Sequence, residues 1–549
     1  MKASQVITHL ITGGAILLQS ATGCSSGSYS NDDKIIYRCD SFTMYVDSIV
    51  SDSVRATALS PSCVNIIIDA NTTDMYADSA TTSTYPLFRS EQPLVDVMYS
   101  LERSTALAHD PFTITMLSAI TDPRQAMADL RAMIGSDGLP KSRNWPIVDT
   151  SAAWIIAASE VYAVTGDKQW LREILPVAKR AIQRAIDVNY DLRYGLIRGT
   201  IEYSDGTTPY VPTWMTGTDR IASLELGVNS MYVAALTATA MMAAEAGDTA
   251  DHYKTLAESV ALNVCNRLWI PEAGYFSSML YGAPYPVQSH NIDYTAQAIT
   301  IIAGISNKEI SKSIVSKTPL PSPYLPDTYP RPYDAAPTRP SLQRQAIFGL
   351  ASAVTGYTTG IVSAIGSVIY ASVTYPDHYN GALSSLILRA IAGMRFTPEG
   401  ITFVPSIPAA MQGDKTISGI KYRDSELCVT LHGTGSSIGR FMIDGKICAG
   451  NIFPSSMHGH HDIDIYMMEN PDSIISMVSH AETPVMLPVP KIRWETPCRA
   501  SITNHSPSTE YDVIINGVVS DHISVPEYTL DTPLRFTTVA FQPVTANRT

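Results

Sequence analysis

Carboxylates and aromatic rings gather in the long intervals that separate the apolar, alanine-rich stretches of this chain. Trp145, Asp149, Glu202, Asp205, Trp214, Asp219, Tyr281, Tyr285, Asp293, Tyr333, Asp334, Tyr375, Asp377, His378 and Tyr379 all lie there. A flat aromatic face suits the C–H face of a sugar ring, and carboxylates suit its hydroxyls. The competing reading is that Asp, Tyr and Pro are ordinary residues of solvated turns. The clustering favours carbohydrate.

Other chemistry is weaker. The segment MHGHHDIDIYM (457–467) carries three histidines and two aspartates. It alternates as a strand does, which puts His458, His460 and Asp462 on one face and His461 on the other. No second ligand cluster accompanies it, so a strand with polar outward residues is preferred to a metal site. LHGTGSSIGRFMIDGK (431–446) is glycine-rich but is not followed by a helix, which argues against a nucleotide loop. Gly435-Ser436-Ser437-Ile438-Gly439 has the spacing of the serine-hydrolase pattern Gly-Xaa-Ser-Xaa-Gly, but it lies in this same stretch without a following helix, and no serine-hydrolase constellation accompanies it. Cysteines 39, 63, 265, 428, 448 and 498 are scattered without a Cys-x-x-Cys pair. A Cys39–Cys63 bridge and free buried thiols both remain open. No metal and no cofactor are expected.

The elements that must position the loop residues follow from periodicity. Residues 34–75 alternate apolar and polar with many β-branched side chains, as strands do. Helical periodicity predicts helices near 92–107, 112–135, 150–165, 168–189, 221–246, 249–267, 291–304, 307–314, 341–356, 359–371 and 380–394. Strand patterning returns beyond 396. Tight turns such as Thr165-Gly166-Asp167, Ala246-Gly247-Asp248 and Thr355-Gly356 alternate with long loops at about 136–149, 190–220, 268–290, 315–340 and 372–379. Helix hairpins with one tight and one long end place every long loop on one rim. Eleven or twelve such helices predict a closed (α/α)6 toroid rather than an open solenoid, for which no fixed-period repeat is present. The expected organisation is 34–85 as a short N-terminal β segment, 86–395 as the toroid, and 396–549 as a C-terminal antiparallel β-sandwich region.

The chain has 549 residues, 45% hydrophobic and 16% charged, with 38 Lys and Arg against 51 Asp and Glu and a formal net charge of −13. No basic run is present to bind phosphates, so nucleic acid is not an expected partner. Lys2, the apolar run Ile11 to Leu18 and Ala21-Thr22-Gly23-Cys24 describe a secretory signal over 1–23. The cysteine after Ala-Thr-Gly resembles a bacterial lipobox, which implies lipidation at Cys24, a polar tether over 24–33 and export to the cell envelope. An outer-membrane location, on the periplasmic or the surface side, is expected. An ordinary signal with an incidental cysteine is the alternative. Membrane contact is then through a lipid only, because no later stretch approaches about 18 uninterrupted apolar residues. A monomer is expected.

Two segments resemble the six-hairpin glycosidase superfamily, in particular bacterial glycogen-debranching-like lipoproteins: NWPIVDTSAAWIIAASEVYAVTGDKQWL (144–171) and DLRYGLIRGTIEYSDGTTPYVPTWMTGTDRIASLELGVNSMYVAAL (191–236). Gly199, Asp205, Pro212, Trp214, Met215, Asp219, Leu226, Gly227 and Asn229 match the family pattern. FTMYVDSIVSDSVRATALS (42–60) and YPLFRSEQPLVDVMYSL (85–101) resemble its first strand and first helix. The chain departs from the pattern at Leu107-Ala108-His109-Asp110, where only the aspartate of Trp-Thr-Arg-Asp is kept. It departs again at Thr200, at Gly206-Thr207 and at Asp149-Thr150-Ser151.

The resemblance implies an inverting glycoside hydrolase acting on an oligosaccharide. One carboxylic acid protonates the leaving oxygen and a second carboxylate, about 6.5–9.5 Å away, activates water. On the family match Asp205 is the acid, with Glu202 as alternate. Asp377 is the candidate base, or else a cap for the helix at 380–394. Asp219 either orients substrate or caps the helix at 221–246. Trp145, Asp149, Trp214, Arg339, His378 and Tyr379 form the expected sugar platform, and Gln343 is a further hydroxyl partner. Glu225 reads as an inward structural ion-pair residue and Arg344 as a helix-surface residue. The departures keep a catalytically lapsed carbohydrate-binding lipoprotein open. His378, Tyr379 and Arg339 keep a toroidal polysaccharide lyase open.

Overall fold

The computed structural model describes residues 34–37, 54–60, 63–69, 85–103, 110–141, 147–203, 215–282, 285–317, 328–329, 341–374, 381–468, 490–496, 498–507, 509–515, 518–530 and 539–545. Two kinds of helix alternate along 93–391. Thr150–Thr165 (α4) and Leu226–Glu245 (α7) are apolar on nearly every side and mostly buried. Lys168–Asn189 (α5) and Asp251–Leu268 (α8) bury one stripe and turn their charged residues to solvent. A helix that is apolar all round belongs inside, and an amphipathic one belongs on the outer layer. The remaining inner helices are Pro111–Thr121 (α2), Tyr294–Ile302 (α9), Leu342–Thr355 (α11) and Ala382–Ile391 (α13). Pro93–Arg103 (α1), Pro123–Ala132 (α3), Lys308–Lys317 (α10) and Thr358–Thr374 (α12) complete the outer layer; α12 carries no charged residue and packs against the strand Val54–Ser60.

The inner helices pack in the order α2, α4, α7, α9, α11, α13, and α13 returns to α2. The ring is closed, and the fold is an (α/α)6 toroid. Buried tryptophans stitch its layers with their N–H groups satisfied: Trp154 Nε1 donates to Leu130 O (2.9 Å) and Trp170 Nε1 to Ala158 O (3.0 Å). Closure between first and last helices rests on Glu102 of α1. Its buried carboxyl accepts from Ser384 N (2.7 Å), Ser384 Oγ (2.6 Å) and Leu383 N (3.3 Å) at the start of α13. Gly381 occupies the N-cap of α13 and has no side chain to do this.

Two expected helices divide. The run 112–135 breaks at Asp122, whose side chain accepts from Gln125 N (3.0 Å) ahead of Pro123 at the first turn of α3. That break supplies the twelfth helix. The run 221–246 breaks at Ser223, leaving a short helix Gly217–Ala222 (α6), an extended pair Leu224–Glu225 and then α7. The tight ends behave as read: Gly166 and Gly356 terminate α4 and α11 with φ of 66° and 74°.

The strands of 34–69 form a three-stranded antiparallel sheet. Beyond the toroid, a six-stranded sheet faces the three strands Met394–Thr397, Gly400–Phe403 and Ile452–Pro454. Phe403 meets Phe441, and Tyr422 meets Phe396 and Phe453, across the gap. Leu87–Arg89 joins this sheet by pairing with Thr416–Ser418, tying the start of the toroid to the β-sandwich. One pair, Ser425–His432 with Gly459–Met468, is parallel within an otherwise antiparallel arrangement. Residues 492–545 build a second unit of two three-stranded sheets with its own core of Ala500, Ile502, Tyr511, Val513, Ile523 and Phe541.

Candidate functional site

Every inner helix begins on the same rim, and the residue at each N-cap position decides what that rim contains. Asp110 caps its own helix, accepting from Phe112 N (2.9 Å), Thr113 N (3.1 Å) and Thr113 Oγ1 (2.7 Å). Ser341 accepts from Arg344 N at 3.3 Å. Asp149 and Glu225 occupy the N-cap positions of α4 and α7 but cap nothing. Both instead reach the segment 199–203: Asp149 Oδ1 accepts from Glu202 N (3.3 Å) and Glu225 Oε2 from Ile201 N (2.9 Å). Asp293, at the N-cap of α9, accepts from Ala296 N (3.0 Å) and also from the Tyr203 hydroxyl (2.6 Å). Arg344 of α11 lies over the Tyr203 ring, 5.6 Å from its centroid.

Segment 199–203 is therefore a strap held by four consecutive inner helices, α4, α7, α9 and α11. Backbone bonds run along both its sides, from Val148 N to Thr200 O (3.1 Å) and from Gly199 N to Ser223 O (2.9 Å). Two glycines and an asparagine explain the fit. Gly199 has φ 122°, which L side chains rarely adopt. A Cβ on Gly227 would stand 3.2 Å from Ile201 and 3.4 Å from the Tyr203 hydroxyl, so any side chain here would push the strap outward by a few tenths of an ångström. Asn229 is fully buried and pins the strap's lead-in, accepting from Ile197 N (2.7 Å) and donating to Ile197 O (3.0 Å) and Glu225 O (2.8 Å).

The strap is electrostatically strained. Burial pushes the Glu225 carboxyl up to about 8; the Thr200 hydroxyl and Ile201 amide pull it down, the Asp293 charge pushes it further up and Arg220 lowers it. Burial and the neighbouring Asp293 also push the Tyr203 hydroxyl well above its ordinary range. Tyr203 then remains a hydrogen-bond donor at every ordinary pH. Changing Tyr203 to phenylalanine removes the donor and leaves Asp293 with a buried oxygen short of one bond. A loss of about 1.5–3 kcal/mol is expected from a hydrogen bond to a charged group, read by denaturant unfolding; an unchanged midpoint would contradict the assignment.

Three of the expected catalytic and sugar-binding residues fall within the described residues. Asp149 is buried and Glu202 half-buried, and they meet through the strap. Asp219 is built into a capping box of α6: its carboxylate accepts from Thr216 N (2.8 Å) and Thr216 Oγ1 (2.7 Å). It does not cap α7, which starts only at Leu226. Trp145, Asp205, Trp214, Arg339, Asp377, His378 and Tyr379 lie outside the described residues, as do Cys24 and Cys39.

Other expectations change. Glu225 sits ahead of its helix rather than within it, and its carboxyl answers a backbone amide. Arg344 is buried against Tyr203, not on a helix surface, because the strap covers it. Gln343 is buried and donates to Thr113 Oγ1 (3.4 Å), linking α11 to α2. Tyr203 escapes sequence reasoning, although an aromatic between two candidate carboxylates (Glu202 and Asp205) is a usable signal. His461 pairs with Asp444 (2.8 Å) in the strand 459–468, and His432 lies between Asp414 and Asp464. Among the described residues no group of His, Cys, Asp and Glu side chains is placed to hold a metal ion. Cys265, Cys428, Cys448 and Cys498 are free thiols.

No protein-family model matches the chain, and no curated protein matches it. Similar solved structures include a sialidase, at 15% identity and a TM-score of 0.49 over 70% of this chain and 45% of the other. A GH78 family rhamnosidase from a Bacillus species aligns at 14% identity and a TM-score of 0.41, over 74% of this chain and 46% of its own. A GH63 mannosylglycerate hydrolase from Thermus thermophilus aligns at 11% identity and a TM-score of 0.35, over 55% of this chain and 90% of its own. The chain spans less than half the length of the sialidase and of the Bacillus rhamnosidase.

Proposed function

We propose that the chain hydrolyses glycosidic bonds of an oligosaccharide, with inversion, on the rim where the inner helices begin. The observation that carries this reading is the convergence of Asp149, Glu225, Asp293 and Arg344 from four inner helices on one strap that also bears Glu202 and Tyr203. The reaction needs Asp205 to protonate the leaving oxygen, with Glu202 as the alternate acid, and Asp377 to take a proton from the attacking water. Trp145, Trp214, Arg339, His378 and Tyr379 form the proposed sugar platform, and no metal enters the reaction. Incubation with envelope oligosaccharides tests the reading: a new reducing end supports it.

One observation favours a second reading. Asp149, Asp219, Glu225 and Asp293 are all spent on backbone or structural partners, which is what a lapsed, sugar-binding toroid retains. Binding without turnover on the same glycans supports that alternative, and an unsaturated, ultraviolet-absorbing product supports a lyase. We further propose that the protein is exported and anchored through a lipid on Cys24. Cys24→Ser is expected to move the protein from the membrane pellet to the soluble fraction; continued pelleting after a salt wash would overturn the anchor.

A further inference from the structure

Arg220 of α6 is a cation that the rim leaves unspent. Among the described residues its guanidinium forms no ion pair and no hydrogen bond. Nε is enclosed with no acceptor, whereas the two terminal nitrogens are not enclosed, and the residue as a whole is half-buried. A guanidinium is charged at every ordinary pH and carries five donors and no acceptor. An enclosed donor without a partner is costly, and such a group is kept where something other than the fold makes use of it.

Its backbone is fixed at both ends of the short helix. The Thr216–Asp219 capping box starts α6, and Arg220 O accepts from Ser223 N (3.3 Å) and Ser223 Oγ (2.7 Å) where it stops. Ser223 O in turn takes Gly199 N at the head of the strap (2.9 Å), and α6 packs against the strand Met279–Tyr281. Arg220 thus stands beside the mouth of α7, close enough for its charge to act on Glu225. The carboxylates that could neutralise it are committed elsewhere. Asp219 accepts from Thr216 N and Oγ1, Glu225 from Ile201 N, Asp149 from Glu202 N, and Asp293 from Ala296 N and the Tyr203 hydroxyl. A full positive charge remains for a ligand.

We propose that Arg220 is a specificity-determining residue that binds the carboxylate of a uronate unit in the glycan on the rim. This deepens the functional reading above and rests on it for the presence of a glycan there. The planar guanidinium fork matches a carboxylate through paired N–H···O bonds, whereas a neutral hydroxyl answers one donor at a time. A phosphate would bring up to two negative charges in among Asp149, Glu202 and Asp293; a carboxylate brings one.

Calorimetric binding tests this with uronate trisaccharides cut from polygalacturonate, alginate and heparosan, each beside its carboxyl-reduced counterpart. In the wild type at least one acid form is expected to bind about 10-fold or more tighter than its reduced form. Arg220→Gln is expected to abolish that difference, and Arg220→Lys, which keeps the charge without the fork, to recover only part of it. A glutamine variant that weakens both forms by the same factor overturns the assignment. Should that variant fail to fold, the wild type decides alone: equal affinity for acid and reduced forms, or no binding of any acid form, overturns it. Acid forms that bind selectively but yield no new reducing end overturn the hydrolase reading and leave the Arg220 assignment standing. Acid and reduced forms cleaved equally well do the reverse.

Discussion

Asp205→Asn is expected to lower turnover by about 10²–10⁴-fold while glycan affinity changes little, because the amide keeps the side chain's shape and cannot deliver a proton. The size of the effect follows from what a leaving sugar oxygen requires. Without a proton the oxygen departs as an alkoxide, and the carboxyls that converge on the strap are already committed. Asp149, Glu225 and Asp293 are tied to Glu202 N, Ile201 N, Ala296 N and the Tyr203 hydroxyl. Glu202 stands next in line, half-buried beside Asp149. Reducing-end assays and calorimetric binding on one preparation separate the two quantities. Wild-type turnover in Asp205→Asn, with loss in Glu202→Gln, would move the acid role to Glu202.

Glu102→Ala carries the largest expected effect on stability. The carboxyl bridges the first outer helix to the last inner one and supplies the cap that Gly381 cannot. Truncation strands the Leu383 and Ser384 amides and the Ser384 hydroxyl in a water-free interior. Each orphaned donor costs about 1–3 kcal/mol, so a net loss of at least about 3 kcal/mol is expected in denaturant unfolding. A loss below about 1 kcal/mol would show that apolar packing and the Arg389 contacts to Thr115 O, Met116 O and Glu160 hold α13 without this cap. Because the ring closes through this contact, the same variant is expected to expose α13 amides to exchange before global unfolding.

The architecture is legible because its physics is written in pattern. Inner helices such as α4 and α7 are apolar on nearly all sides, outer ones such as α5 carry a charged face, and glycines such as Gly166 and Gly356 mark the tight ends. What stays hidden depends on partners distant in sequence. Leu224–Glu225 fits a helical period perfectly well, and its pairing with Met279–Leu280 on one side and Gly199 on the other makes it extended. Period alone therefore puts Glu225 inside a helix and hides its role. Arg344 has the appearance of a solvated helix residue until Tyr203 arrives over it. Alternation predicts the strands 425–432 and 459–468 but says nothing of direction, so their parallel pairing is invisible in sequence.

The resemblance points to the segment that the inner helices grip. Gly199, Gly227 and Asn229 are matched because the strap must lie flat on the helix mouth, and they are structural. Their presence explains why a rim with altered charged positions can keep its geometry. Whether that geometry still turns substrate over is the central question, and one experiment addresses it directly. Proton NMR of the anomeric region during incubation with an envelope-derived oligosaccharide follows bond cleavage and product configuration together. The account predicts a new reducing-end anomeric signal, formed first with configuration opposite to that of the bond broken. Unchanged oligosaccharide spectra with saturable line broadening would contradict it and identify a binding protein.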